Sequence, residues 1–586
     1  MKKEKLNKLL KWVNDQDYIC LDTEARGKYF GFLHPMEGLD PYLSEIISLQ
    51  IGNAEEQHII FGTPPKELMI ALRDKLCIGH NIKYDYKLLY VATGIRLEKV
   101  FDTMIAEKLL NNSSTTIRYG LGPVLQRLFG IEMNKEIRDT FKQCVVMDAT
   151  QIQYSLDDIK YLDRLYFSQL KRCKAKDMGD LFSIEMDVVK ALSEMELNGM
   201  HLNEEDWMIL YQENLEKEKI LLQKLSDILW KHKKYQFFNI VEKKCLLNWN
   251  SSLQIIPVFL SYELDVTSDK HKSGFSIAEK NIKKYSENEF VEIYLEYKGV
   301  VKSITTYGKK FIGKYKNPIT GKYHTNLTQL KNTGRSASSN PNLMNISVGG
   351  PRKCFNFVNS AEEKYYLVCD YSKQELCVLA DRAEDHSLIA TLEAEDAHEE
   401  TAKKIFKEKY NRKKHRPIGK TVNFAVAYGS TAHALSESLN VNLDEAQSYI
   451  DLFYKAYPKL KPYFEKVYRE ALRKRFIRLD NVTNRKFYID SYMSSDEILR
   501  KCQNYPIQSL SATITKVALV LLYEFTKNDD RINLIHVQHD EIIFEVTKDY
   551  KELESQVCDI MTEAGRKFLN HIELKVGSMV SKYWDH

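Results

Sequence analysis

The sequence predicts two unlike halves, an α/β unit over residues 1–175 and a larger α+β region after it. Three observations predict this. At the N-terminal end short β-rich segments alternate with helical ones, the pattern of a sheet covered by helices. From residue 184 onward Met186, Val189, Leu192 and Met195 recur at three- to four-residue spacing, as on one face of a long helix. Near the C-terminus two apolar arms flank His539-Asp540-Glu541, as in a hairpin. A chain of 586 residues also exceeds what one hydrophobic core supports, so several abutting domains are expected.

Taken in order, strands are expected over 18–21, 46–51 and 58–61, where β-branched and apolar residues cluster. Helices follow over 66–76, 84–93 and 102–110, a long helical stretch covers 184–235, and another covers 289–307. Beyond 323 the chain is mixed, with a strand over 365–369, helices through 398–476 and a strand pair over 532–546. No internal repeat or low-complexity linker interrupts it.

Composition narrows the chemistry. With 44% apolar and 28% charged residues the chain reads as an ordinary well-packed protein. No charge-free apolar run reaches the ~18 residues of a membrane span, so no membrane partner is expected. The opening Met1-Lys-Lys-Glu-Lys-Leu is basic but lacks the apolar stretch of a secretory signal, and no targeting segment is read there. Ten scattered cysteines without a C-x-x-C pair argue against a structural zinc site or disulfide framework, and fit a reducing compartment. Neither a G-x-x-x-x-G-K-[ST] loop nor an H-E-x-x-H motif occurs. The net charge of +4 is close to neutral, so only local clusters of cations, at 403–416 and 231–234, speak to nucleic acid, and each reads first as a solvated helix face.

Asp22-Thr-Glu24 follows the 18–21 strand, and side chains two apart on a strand point the same way. Gly79-His-Asn81-Ile-Lys-Tyr-Asp85 leads into a helix, and Tyr154 and Asp158, four apart, share a helix face. Four acids from three segments could converge on two divalent cations, one activating water and one stabilising the leaving oxygen. All-oxygen ligands suit Mg2+, with Mn2+ able to substitute, rather than zinc. In this order D-x-E, N-x-x-x-D and Y-x-x-x-D resemble the motifs of the DEDD-type 3′→5′ proofreading exonucleases, in the subtype whose tyrosine orients the attacking water. The resemblance implies a ribonuclease H-like α/β domain. It further implies Asp22, Glu24, Asp85 and Asp158 as metal ligands, with Tyr154 assisting. Phe101-Asp102-Thr-Met also matches that family, and Asn81 matches a polar position near the primer end.

A second set of acids lies further on. The 365–369 strand ends in Asp370-Tyr-Ser-Lys-Gln-Glu375, and the 532–546 pair would carry His539, Asp540 and Glu541 at its tip. Two carboxylates on adjacent strand ends again suit two metals, here for attack of a primer 3′-oxygen on an α-phosphate. Between them Arg416, Lys420, Phe424 and Tyr428 recur every fourth residue, so they drift by only ~40° per step along one helix face. That face presents two cations, suited to a triphosphate, and two aromatics, suited to a base and sugar. Pro417 is expected just inside the helix start and Gly429 just past its end.

R-x-x-x-K-x-x-x-F-x-x-x-Y-G is similar to motif B of family A DNA polymerases, Asp370-Tyr-Ser-x-x-Glu375 to motif A and His539-Asp540-Glu541 to motif C. The resemblance implies a right-hand α+β fold of palm, fingers and thumb behind the exonuclease. It divides the chain into thumb over 176–330, palm over 331–390, fingers over 391–500 and palm again over 501–586. It implies Asp370 and Asp540 as ligands of two Mg2+ ions with Glu541 beside them, and Arg416 and Lys420 on the phosphates with Lys420 protonating pyrophosphate. Phe424, Tyr428 and His398 would contact the incoming dNTP, and Glu375 would stand where a 2′-hydroxyl lies and exclude ribonucleotides. Phe424, where a tyrosine could stand, implies discrimination against dideoxynucleotides. Arg335, Asn342, Asn345, Arg500, Asn504, Gln508, His539 and Lys302 match contacts to primer-template DNA. Met344 and Ser347 replace a usual Gln and Pro, and 479–485 departs from the family's short Gly-Arg-Arg turn. The chain's length leaves no room for a 5′-nuclease domain, and a monomer is expected, with helicase and primase as possible replication partners. Abundant Lys, Asn and Tyr resemble the plastid-type (apicoplast) replicative polymerases of malaria-like parasites, which implies an organellar compartment. Two other readings share parts of these motifs. One is a single-subunit RNA polymerase, opposed by Glu375 and the first acid cluster; the other is a nuclease with a DNA-holding module, opposed by Asp370 and Asp540.

Overall fold

The computed structural model describes residues 3–29, 34, 36–112, 114, 116–133, 136–268, 274–358 and 363–584. The strand expected over 18–21 runs on as β1 (Tyr18–Gly27), because β2 (Ser44–Gly52) pairs with it from Cys20↔Gly52 to Gly27↔Ser44 with a bulge after Glu24. Asp22 and Glu24 therefore lie within a paired strand rather than beyond its end. β3 (Gln57–Phe61) flanks β2, and β4 (Leu76–Gly79) and β5 (Lys99–Asp102) lie parallel on the other side, giving the order β3-β2-β1-β4-β5. The expected 66–76 helix ends at Arg73, and the apolar Leu76-Cys-Ile-Gly becomes the buried strand β4. Asp102 closes β5 and caps helix Thr103–Leu110, accepting from the Met104 and Ile105 amides at 2.9 and 3.1 Å.

The long helix expected over 184–235 is two helices, Gly179–Asn198 and Glu204–Lys231. Gly199 breaks it at φ +58, and a Cβ there would fall 2.7 Å from His324 Nδ1, so only glycine fits. The second helix restarts under an Asn203 cap and packs along Glu289–Thr306 around Leu221, Leu225, Phe259, Phe290 and Tyr294. β6 (Lys364–Tyr371) is followed by helices between Gln374 and Lys474 and the small hairpin β7 (Phe476–Arg478) and β8 (Lys486–Tyr488). β9 (Ile532–Gln538), β10 (Glu541–Thr547) and β11 (Val576–Ser581) complete an antiparallel sheet of order β9-β10-β6-β11. The sheet, the helical block and the Glu204–Lys231 and Glu289–Thr306 pair fall within the segments expected as palm, fingers and thumb. Helix Ser495–Thr526 is long and apolar enough to cross a membrane by length and composition, but 72% of its apolar window is buried inside the protein.

Helix Gly179–Asn198 joins the two halves and carries Glu185, which is fully buried. Lys516 Nζ lies 2.8 Å from both of its oxygens, Arg485 Nη2 2.5 Å from one, and Gln329 Nε2 2.7 Å from the other. Burial pushes the carboxyl up, but Lys516, Arg485 and Gln329 outweigh it and hold Glu185 below the usual range. Replacing Glu185 with Leu strands two buried cations, so we expect a loss of about 3–5 kcal/mol in denaturant unfolding; a midpoint within error of the parent would contradict this.

Candidate active sites

In the first half, Asp22, Glu24 and Asp158 present carboxylate oxygens all within 4.8 Å of one another. Asp22 and Glu24 come from the same face of β1, and Asp158 from helix Ala149–Lys160, whose Ser155 hydroxyl lies 3.5 Å from Glu24 Oε1. Asp148 starts that helix with a reciprocal capping box to Gln151, which fixes its register over the strand. Tyr154 lies on it too, its ring 6.0 Å from Phe141. Like charges this close repel unless a cation or proton intervenes, and the all-oxygen set matches a hard divalent ion.

Asp85 stands apart from that trio. It is buried on helix Lys83–Thr93, where its Oδ1 accepts from the Thr23 amide at 2.9 Å and the Thr23 hydroxyl at 2.5 Å. Burial pushes its carboxyl up to about 7 against those two hydrogen bonds. It therefore grips β1 between Asp22 and Glu24. Asn81, at φ +68, donates its amide to Asp102 Oδ1 at 3.1 Å.

In the second half, Asp370, next to last in β6, lies directly opposite Glu541 of β10, and Asp540 sits in the tight turn before Glu541. His539, at φ +58, is the exposed tip of that turn. Burial, then Asp540 and Glu541, push the Asp370 carboxyl up to about 7. Burial also raises Asp540. Glu541 is turned elsewhere: its Oε1 accepts from Trp584 Nε1 at 3.0 Å and its Oε2 faces Arg352 Nη1 at 3.4 Å. These contacts fit a residue that fixes the strand pair, with Asp370 and Asp540 left to present oxygens.

The four-residue ladder lies on helix Arg412–Ala427, with Tyr428 as its C-cap. The helix begins five residues before Pro417, because the Asn411 side chain caps it by accepting from the Lys414 amide. Pro417 is thus inside the helix. At the other end Gly429, at φ +66, and Ser430 donate to the Val426 and Ala425 carbonyls at 3.0 and 2.8 Å, the two bonds of a Schellman ending. The rings of Phe424 and Tyr428 lie stacked 6.4 Å apart, and His398, bonded to Asn423, sits 5.7 Å from Phe424. Arg416 is paired to Asp396 at 2.5 Å, and Lys420 is exposed. Glu375, at the start of helix Gln374–Ala383, is ion-paired to Arg335, and burial followed by the Glu375 charge raises the Tyr428 phenol beside them.

The remaining positions surround this site. Arg500, Asn504 and Gln508 fall every fourth residue on helix Ser495–Thr526, with Arg500 exposed. Asn342 and Asn345 are exposed around a short turn held by Ser338, whose hydroxyl donates to Asn342 Oδ1 at 2.7 Å. Gln538 donates to the Met344 carbonyl at 2.9 Å, and Ser347 donates its amide to the Tyr307 hydroxyl at 3.0 Å. Lys302 is exposed on helix Glu289–Thr306. Thr23, Arg352, Trp584 and Asp396 were not singled out from the sequence. Thr23 could have been, standing between two paired acids; the others become visible only through tertiary contact.

Comparison with known proteins bears on both sites. Residues 216–586 match the DNA polymerase family A profile and residues 1–172 a 3′-5′ exonuclease profile. DNA polymerase I of Aquifex aeolicus is 25% identical over 99% of this chain and 98% of its own length. Those of Helicobacter pylori and Lactococcus lactis are 27% and 28% identical over 97% and 98% of this chain, which spans only 61% and 63% of their lengths. The POL domain of Pol1 from M. smegmatis, solved with DNA primer-template and dNTP, superposes with a TM-score of 0.83 at 20% identity, covering 100% of this chain and 99% of that one. The chain belongs to DNA polymerase family A, with a 3′-5′ exonuclease domain ahead of its polymerase domain.

Proposed function

We propose that this chain extends a primer 3′ end with dNTPs on a DNA template and trims mispaired ends at a second site, with two divalent cations serving each. The observation that carries the reading is the pair of separate carboxylate clusters on two different sheets, one with the ladder helix beside it. Mg2+ held by Asp370 and Asp540, or by Asp22, Glu24 and Asp158, would lower the pKa of the attacking oxygen and neutralise the leaving one.

The protein's own groups do the rest. Arg416 exchanges Asp396 for a triphosphate oxygen, a trade between two charge-assisted bonds. Lys420, one helical turn on and exposed, reaches the same phosphates and supplies a proton to the departing pyrophosphate. Phe424 and Tyr428 stack on the nucleotide, and Glu375, tied to Arg335, fills the space beside its sugar. Tyr154 orients water at the trimming site, while Asp85 holds β1 through Thr23. Arg335, Asn342, Asn345, Arg500, Asn504, Gln508, His539 and Lys302 line the path of primer and template. Abundant Lys and Tyr in the composition support replication of an AT-rich organellar genome, with the apicoplast as the compartment.

Primer extension from a mismatched 3′ end with Mg2+ tests the division of labour. Asp22→Asn should lose excision by on the order of 10³-fold while keeping extension, and Asp540→Asn the reverse; loss of both activities in either variant would refute two independent sites. Glu375→Ala should admit ribonucleotides, read as a rise in rNTP relative to dNTP incorporation of about tenfold or more; an unchanged ratio would remove Glu375 from sugar selection. Burial and the Asp540 and Glu541 charges push the Asp370 carboxyl up to about 7, so a cation would compete there with a proton. The Mg2+ concentration for half-maximal extension should therefore rise as pH falls from 7 to 6, by up to about tenfold. A half-saturation point constant from pH 8 to 6 would argue that Asp370 is already ionised.

A further inference from the structure

The segment 479–485 builds a device of its own. Asp480 accepts from the Thr483 amide and hydroxyl, both at 2.5 Å, and the Leu479 amide donates to the Arg485 carbonyl at 2.8 Å, closing the loop. Asn484, at φ +55, donates its side-chain amide to the Lys176 and Asp177 carbonyls at 3.1 and 3.0 Å. The loop is thus tied to the junction of the two halves, and it delivers Arg485 into the interior, 6% exposed.

There Arg485 touches two things. One guanidinium nitrogen donates to Glu185. The guanidinium also lies against Gly334: a Cβ built on that glycine would fall 2.9 Å from Arg485 Cζ and 3.0 Å from its Nη1. Gly334, at φ +84, sits in a turn closed by its amide on the Lys331 carbonyl at 2.8 Å and by the Lys331 amide on the Arg335 carbonyl at 2.9 Å. The next residue, Arg335, reaches Glu375 in the nucleotide pocket.

We propose that Arg485 is a positioning residue for nucleotide selection: pinned by Glu185, its guanidinium backs Gly334 and fixes the turn that aims Arg335 at Glu375. The proposal rests on the polymerase reading of that pocket. A lysine could keep the ion pair with Glu185 but offers no plane to back the turn. Arg485→Lys therefore separates holding the fold from aiming Arg335.

In the full chain, Arg485→Lys should raise the KM for dNTP by about tenfold with kcat within about twofold, and lower rNTP discrimination to a similar degree. Excision of single-stranded DNA should be unchanged. If Arg485→Lys does not fold, Asn484→Gly, which loosens the loop without straining φ, should shift KM and discrimination in the same direction. The defects of Arg485→Lys and Arg335→Lys should be non-additive in the double variant. A lowered melting temperature with parental KM and discrimination, or additive defects, would overturn the proposal. Absence of dNTP-dependent extension by the parent protein would instead overturn the polymerase reading itself.

Discussion

A carboxylate with no exposed surface pins the helix that joins the two halves of this protein. Burying Glu185 alone would cost several kcal/mol, and the cost is offset only because Lys516, Arg485 and Gln329 reach it from three other segments. Glu196, eleven residues on along the same helix, repeats the device with Lys83 and Lys87 from helix Lys83–Thr93 and with the Leu327 amide at 2.6 Å. One helix thus presents two buried anions, one to the polymerase side and one to the exonuclease side. Because each anion needs all of its partners, neither half can shift on this helix without stranding a charge. Geometry at both sites is inherited from that constraint.

Against these neutralised acids stand Asp370 and Asp540, whose carboxyls burial raises. Asp370 is raised to about 7 by burial and by its neighbours, whereas Glu185, more deeply buried, is held low by Lys516 and Arg485. Burial therefore does not distinguish structural from functional acids here. The sign of the neighbouring charges does. By that criterion Glu541, which faces Arg352, belongs partly with the structural acids, whereas Asp85, held by the uncharged Thr23, is raised like Asp370. Asp85 is occupied by Thr23, and Glu541 by Trp584 and Arg352.

Period two and period 3.6 made β1, β6, the β9–β10 hairpin and the Arg416–Tyr428 face legible, because those signals are local. The break at Gly199 was not, since it depends on His324 occupying the space of a Cβ. Proline's preference for a first turn points to a ladder helix starting near Pro417, yet an Asn411 cap earlier in the chain prevails. The parallel strands β4 and β5 were hidden inside apolar runs too short to tell helix from strand. Roles that rest on partners far along the chain, such as Arg352 and Trp584 for Glu541, leave no spacing to read.

The pairing of Arg416 with Asp396 shows how the ladder can act without unravelling its surroundings. Asp396 also caps helix Ala397–Phe406, accepting from the Glu399 amide at 3.0 Å through Oδ1, whereas Arg416 engages Oδ2. Arg412 stands 3.9 Å from that same Oδ2. In the exchange proposed above, in which a triphosphate would draw Arg416 away, the cap on Oδ1 would stay in place and Arg412 would remain beside the vacated oxygen. The helix end would then keep its cap, so the exchange would not unravel it. Under the proposed function, the ladder helix could give up a cation to substrate while keeping the frame that carries Lys420, Phe424 and Tyr428.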